Sequence, residues 1–122
     1  MQEKKKILIV DDEPNVRRLV TNILTKEYTV LTAGDGEEAI SIARDQQPDL
    51  ILMDIMMPEM DGYSACHAIK HDVLTCDIPV IIVTALGQEL NKKFAEKVGA
   101  DDYLTKPFSV QKLQGTISRF VN

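Results

Sequence analysis

Residues 7–14 read ILIVDDEP, an apolar run that leads directly into three acidic side chains and a proline. A continuous run of branched apolar residues is typical of a strand buried on both faces of a parallel sheet, here over Lys6–Val10. Pro14 suits the first turn of a helix, and apolar residues then recur at helical spacing from Val16 to Leu24. The stretch therefore predicts a strand, an acidic turn and a helix.

The same alternation of strand and helix patterns continues along the chain. Ser109 is a helix-capping residue type, and Gly99 suits the left-handed turn after a helix end. Further strands are predicted at Thr29–Ala33, Asp49–Met53, Pro79–Val83 and Asp102–Thr105. Helices are predicted over residues 36–46 and 63–73. Two more helices are predicted from apolar residues on one face: Leu90, Phe94 and Val98 in the first, and Val110, Leu113, Ile117 and Val121 in the last. A loop is predicted over Met57–Gly62.

This alternation predicts a single α/β domain over residues 1–122. Five β-α units with short connections form a doubly wound parallel five-stranded sheet, with helices on both faces and right-handed crossovers. The length of 122 residues fits one domain, and 44% hydrophobic with 27% charged residues excludes disordered and membrane classes.

Charge and composition also limit the partners. A net charge of −5 disfavours direct nucleic-acid binding, which needs a basic surface. No apolar run approaches the ~18 residues of a spanning helix, and the N-terminus has no signal-peptide pattern. We therefore expect a cytoplasmic protein without a membrane partner, whose two cysteines stay reduced.

Polar side chains follow the predicted strands at one edge of the sheet. Asp11 and Asp12 follow the first strand, Asp54 the third, Thr84 the fourth and Lys106 the fifth. Carboxylates gathered at the carboxyl edge repel each other unless a cation joins them, and their oxygens suit Mg²⁺. Asp54 is then a candidate nucleophile that forms an aspartyl-phosphate, with the Thr84 hydroxyl and the Lys106 ammonium available to phosphoryl oxygens.

Four segments together resemble the receiver domain of two-component response regulators, the CheY-like family: residues 7–14, 50–62, 79–85 and 99–108. The resemblance covers the chain from Lys5 to about Phe120. It implies the strand order 2-1-3-4-5 of flavodoxin-like and CheY-like folds. It also implies a signalling switch rather than an enzyme, since the domain catalyses only its own phosphorylation and dephosphorylation.

The resemblance implies roles at the acidic edge. Asp54 accepts the phosphoryl group from a phosphohistidine on a sensor histidine kinase or phosphotransfer protein. Mg²⁺ is the implied cofactor, bound by Asp12 and Asp54, by Asp11 through water, and by the main-chain carbonyl of Met56. Because neither Met56 nor Leu86 can orient water by hydrogen bonding, we expect slow self-dephosphorylation.

The resemblance also implies a switch. Thr84, Lys106 and the Ala85 amide contact phosphoryl oxygens, Tyr103 turns inward when Thr84 moves, and the Lys106–Pro107 peptide is cis. The output is a surface for a downstream protein over Ala85–Gly99 and Tyr103–Phe120. The expected oligomeric state is a monomer or a weak phosphorylation-dependent dimer.

Two other motifs suggest different ligands. Gly34–Ala39 fits a dinucleotide fingerprint, but its three acids would face the pyrophosphate and are favourable in a first helical turn. Zinc is conceivable because soft ligand types cluster at Cys66, His67, His71 and Cys76, yet Cys66 lies on an apolar helical stripe. We therefore expect no cofactor besides magnesium.

Two rival functions remain. A Mg²⁺-dependent hydrolase would use Asp54 as nucleophile on a small phosphoester. Hydrolases of the haloacid-dehalogenase type place a second acid two residues after the nucleophile, where this chain has Met56. A receiver-like scaffold that never takes phosphate is disfavoured because the key side chains are present.

Overall fold

A computed structural model describes residues 4–55, 62–85 and 99–121, with the backbone alone at residues 84 and 85. Five parallel strands in the order β2-β1-β3-β4-β5 form the sheet of this part of the chain, which confirms the expected strand order. The strands are β1 Lys6–Val10, β2 Thr29–Ala33, β3 Leu50–Asp54, β4 Val80–Ala85 and β5 Asp102–Lys106; the helices are α1 Pro14–Leu24, α2 Gly36–Gln46, α3 Gly62–Lys70 and α4 Val110–Ser118.

Alternate side chains of the central strands enter two hydrophobic cores, one on each face of the sheet. In β1, Leu8 and Val10 join the core beneath α2 and α3, whereas Ile7 and Ile9 join the core beneath α1 and α4. All five residues of β3 are buried. Burial on both faces explains why these strands appear in the sequence as unbroken apolar runs.

Side-chain caps begin two of the helices. Ser109 Oγ accepts a 3.0 Å hydrogen bond from the Lys112 amide at the start of α4, as its position in the sequence predicted. Asp35 Oδ1 accepts a 2.8 Å bond from the Glu38 amide at the start of α2. The segment that resembles a dinucleotide fingerprint therefore serves as a helix cap.

Three strand ends differ from the predicted bounds in a way that matters for the site. β3, β4 and β5 continue through Asp54, Thr84 and Lys106, so these residues belong to the strands rather than follow them. Asp49, predicted as the first residue of this strand, lies just before β3. Its amide donates to the Lys6 carbonyl and its carboxylate accepts from the Lys6 amide, both at 2.8 Å. Asp54, Thr84 and Lys106 are therefore held in the hydrogen-bonded ladder of the sheet.

The prediction of a helix to residue 73 is wrong, because α3 ends at Lys70. The Thr75 hydroxyl donates a 2.7 Å bond to the Ile69 carbonyl, and the chain turns away. Val73 is consequently 87% exposed instead of packed.

The predicted apolar faces of α1 and α4 are each exposed at one residue. Leu19 is 62% and Val110 44% exposed, and both line a groove between these two helices.

The left-handed turn expected at Gly99 is present, with φ of 89°. The predicted helix with Leu90, Phe94 and Val98 lies outside the described residues, as does the predicted loop Met57–Gly62 except for Gly62, which begins α3 instead. Among the described residues, no helix combines the length and the apolar character that a membrane crossing requires.

Candidate functional site

Three carboxylates meet at the carboxyl edge of the sheet. Asp11 follows β1, Asp12 is next to it, and Asp54 ends the adjacent strand β3. One carboxylate oxygen from each residue lies within 4.8 Å of those of the other two. Asp11 and Asp54 are buried, at 3% and 8% exposure, whereas Asp12 is exposed. The structure thus brings together the acids that the sequence placed at one edge.

Lys106 brings a positive charge to this cluster from the end of β5. Its Nζ lies 3.1 Å from Asp11 Oδ2 and 3.8 Å from Asp54 Oδ2. Asp11 and Lys106 are 95 residues apart in the chain, and the strand order brings them to the same edge. Among the described side chains, the Lys106 ammonium offsets only part of the charge of the three carboxylates, and the negative charge that remains favours a cation.

The turn that carries Asp11 is fixed by several hydrogen bonds. The Asp11 amide donates to the Ala33 carbonyl at 3.1 Å, and Asp11 Oδ1 accepts from the Glu13 amide at 2.9 Å. The Asp11 carbonyl accepts a 2.6 Å bond from Arg17 Nη1. Sequence reasoning missed Arg17, because nothing in helical spacing tells where a long charged side chain of α1 will point.

Gly62 lies directly against the main chain of Asp54. Its amide donates to the Ile55 carbonyl at 3.2 Å, and an added Cβ would lie 2.3 Å from the Asp54 carbonyl oxygen. The sequence indicated only that Gly62 interrupts regular structure. The structure shows a contact that a side chain would prevent, next to the candidate nucleophile.

The donor atoms of the acidic cluster fit Mg²⁺. They are hard carboxylate oxygens, which suit magnesium better than a soft or borderline metal. Within residues 4–55, 62–85 and 99–121, this trio is the one group of three or more histidine, cysteine or acidic side chains able to hold an ion. The expected fourth ligand, the Met56 carbonyl, lies outside the described residues.

The remaining residues expected at the site belong to β4, β5 and the segments that follow them. The backbones of Thr84 and Ala85 pair in register with Thr105 and Lys106, while the output segment 86–98 lies outside the described residues. Tyr103 is partly buried and packs against the core beneath α2 and α3. The peptide between Lys106 and Pro107 is cis, as the resemblance implied.

The residues considered for zinc do not form such a site in the part of the chain that is described. Cys66 is fully buried, and burial raises the pKa of its thiol to about 12. A metal-binding cysteine must lose its proton, so this thiol is a poor ligand. The rings of His67 and His71 stack with centroids 3.9 Å apart, and His71 Nδ1 lies 2.8 Å from the His67 carbonyl oxygen.

A parallel sheet in this order, with three carboxylates and a lysine at its carboxyl edge, defines the class of CheY-like receiver domains. Residues 7–118 match the family model of the response regulator receiver domain. The chain belongs to this family.

Solved structures of receiver domains have the same fold. The chemotaxis protein CheY4 of Vibrio cholerae superposes with a TM-score of 0.90 at 32% identity, over 97% of this chain and 99% of that one. The receiver domain of the sensor histidine kinase PA1611 from Pseudomonas aeruginosa has a TM-score of 0.88 at 33% identity, over 96% and 97% of the two chains. That structure is described with a magnesium ion coordinated in the active site cleft.

A curated relative is a longer protein. RpaA of Synechocystis sp., described as a DNA-binding dual master transcriptional regulator, is 45% identical over 109 residues. The match covers 88% of this chain and 45% of that protein, so the chain spans about half the length of this relative. The expectation of no direct nucleic-acid partner is not supported by such a relative.

Neutralising Asp12 is expected to stabilise the protein when no divalent cation is bound. Asp12→Asn removes a repulsive charge without removing the Asp11–Lys106 ion pair, so we expect a gain in the free energy of unfolding of about 1 kcal/mol in EDTA. Excess Mg²⁺ should stabilise the wild type more than the variant. Urea unfolding measures both values.

Asp77→Asn is the matched control, because Asp77 is an exposed acid before β4, at the opposite edge of the sheet. This substitution should leave the stabilisation of the protein by excess Mg²⁺ unchanged. Equal stability of Asp12→Asn and wild type in EDTA would mean that the acidic cluster is not under repulsion.

Proposed function

We propose that this chain is the phosphoacceptor domain of a two-component phosphorelay, with Asp54 as the residue that takes the phosphoryl group. The observation that carries the proposal is the position of Lys106, whose Nζ lies 3.8 Å from Asp54 Oδ2 and 3.1 Å from Asp11 Oδ2. A carboxylate nucleophile flanked by an ammonium group and by two further carboxylates suits transfer of a charged group.

The donor would be a phosphohistidine on a sensor histidine kinase or a phosphotransfer protein. An Asp54 carboxylate oxygen forms a bond to phosphorus, and the bond between phosphorus and the imidazole nitrogen breaks. That nitrogen keeps the electron pair, so neutral imidazole leaves when its other nitrogen carries a proton. Lys106 then pairs with a phosphoryl oxygen, as a compact ammonium on a flexible stem can.

Asp11, Asp12 and Asp54 would hold Mg²⁺, with the Met56 carbonyl as a further proposed ligand. The ion supplies charge neutralisation, so that an anionic carboxylate can approach an anionic phosphoryl group. The clustering of three carboxylate oxygens within 4.8 Å of one another supports this assignment. Repulsion among the acids is relieved when a divalent cation joins them.

Phosphorylation would change a protein-binding surface. Thr84 and the Ala85 amide would join Lys106 at the phosphoryl oxygens, and Tyr103 would turn further inward, favouring one of two states. The register of β4 with β5 supports this role, because it pairs Ala85 with Lys106. The downstream partner would bind over residues 85–99 and 103–120.

We assign residues 1–122 to one receiver domain that acts in the cytoplasm, as a monomer or a weak phosphorylation-dependent dimer. Its chemistry is limited to its own phosphorylation and dephosphorylation.

Acetyl phosphate labelling tests the proposal. We expect Mg²⁺ to permit incorporation of one phosphoryl group per chain, EDTA to prevent it, and borohydride reduction with peptide mapping to locate the acyl phosphate at Asp54. Rapid catalytic turnover of an aryl phosphate, or an acyl phosphate on another residue, would contradict the proposal and favour the hydrolase.

A further inference from the structure

We propose that Arg17 is a positioning residue that aims the carboxylates of Asp11 and Asp12 at the bound cation. The inference rests on the proposed function, because it concerns the same metal-binding acids. The observation behind it is the 2.6 Å hydrogen bond from Arg17 Nη1 to the main-chain carbonyl of Asp11. Arg17 thus binds the turn between β1 and α1 at the point where the two acids are joined.

Arg17 binds the turn after β1 and lies beside Gly34 in the turn after β2. Its amide bonds the Glu13 carbonyl at 3.1 Å in the first turn of α1, and its side chain is half-buried. The guanidinium lies beside Gly34, where an added Cβ would be 3.4 Å from Nη1. The Gly34 amide in turn donates to Glu38 Oε2 at 3.4 Å. Arg17 is therefore packed between the ends of β1 and β2.

The carbonyl of Asp11 and the amide of Asp12 belong to one planar peptide group. A donor that fixes this carbonyl therefore also fixes the rotation of the peptide that separates the two carboxylates. Asp11 has further restraints on its amide and its carboxylate, from Ala33, Glu13 and Lys106. Asp12 is exposed, so its direction depends more strongly on the orientation of this peptide.

The direction in which Mg²⁺ affinity changes when Arg17 is removed distinguishes a positioning role from a simple charge effect. A guanidinium near the cluster repels an incoming cation, so its removal should tighten Mg²⁺ binding if charge alone matters. If Arg17 orients the acids, its removal should weaken Mg²⁺ binding, because the carboxylates must then be ordered when the ion binds. Loss of an outer partner of metal ligands typically lowers metal affinity by about 10-fold or more.

Calorimetric titration of the full chain with Mg²⁺ tests the inference. We expect Arg17→Met to raise the dissociation constant about 10-fold, whereas Arg18→Met, which removes an exposed neighbouring charge, should not raise it. The initial rate of acetyl phosphate labelling should recover to the wild-type value in Arg17→Met at saturating Mg²⁺. Urea unfolding in EDTA supplies the control for folding, because Mg²⁺ would also stabilise a variant that is merely less stable: Arg17→Met should remain folded without the ion under the titration conditions.

Conservative variants provide a second comparison if Arg17→Met does not fold. Arg17→Lys keeps the charge but loses the planar guanidinium, so it should bind Mg²⁺ more weakly than the wild type, whereas Arg18→Lys should match it. Unchanged or tighter binding in the folded Arg17 variants would overturn this inference alone. Absence of Mg²⁺ binding to the wild type would overturn the proposed metal site and this inference with it.

Discussion

Gly62→Ala is expected to lower the free energy of unfolding by about 3 kcal/mol. An added Cβ would lie 2.3 Å from the Asp54 carbonyl oxygen and 2.6 Å from Ile55 Cα, and both are main-chain atoms that cannot rotate away. The hydrogen bond from the Gly62 amide to the Ile55 carbonyl holds the two segments together at this point. Urea unfolding followed by circular dichroism measures the loss.

Gly115→Ala is the matched control, because it makes the same substitution within α4. Apart from its chain neighbours and the backbone of its own helix, no heavy atom of the described residues lies within 4 Å of an added Cβ at Gly115. Alanine should therefore stabilise the helix by about 0.5–1 kcal/mol. Similar stabilities for the two alanine variants would show that α3 can move away from β3 at little cost.

Asp54→Asn is expected to lower acetyl phosphate labelling by roughly 100-fold or more. A neutral amide has nearly the same shape but no anionic oxygen to attack phosphorus. The variant should remain folded, because it removes one charge from a cluster of three carboxylates and leaves the Lys106–Asp11 ion pair in place. Labelling per folded chain, measured in excess Mg²⁺, tests the nucleophile separately from stability.

Asp49→Asn is the control for this substitution, because Asp49 immediately precedes the same strand at the opposite edge of the sheet. Its carboxylate accepts the Lys6 amide at 2.8 Å, and an asparagine carbonyl can accept the same bond. Labelling should stay at the wild-type level. Full labelling of Asp54→Asn would show that a different residue carries the phosphoryl group.

The strands and the edge that carries the site were predicted well, because burial on both faces of the sheet requires continuous apolar runs in the sequence. Leu8 and Ile9 enter different cores, so the strand needs apolar residues at consecutive positions. Strand ends were less well predicted: Asp54 and Lys106 are polar, and their continued pairing depends on neighbouring strands rather than on their own residue types.

Contacts between residues that are not neighbours in the chain account for what the sequence did not predict. α3 ends at Lys70, the Thr75 hydroxyl five residues further on donates to the Ile69 carbonyl, and Val73 in the turn between them is exposed. The contacts of Gly62 and Arg17 with the main chain around the acidic cluster arise only when separate elements meet. Local periodicity carries no information about such contacts, although it predicts the elements that make them.

The ion pair between Lys106 and Asp11 also determines when the cluster can form during protein synthesis. The two residues are separated by 95 positions, and β5 is the last of these five strands to leave the ribosome. A nascent chain that ends before β5 has the acidic residues but lacks the ammonium group that accompanies them. The arrangement proposed for phosphoryl transfer at Asp54 should therefore form only after the whole sheet has been translated.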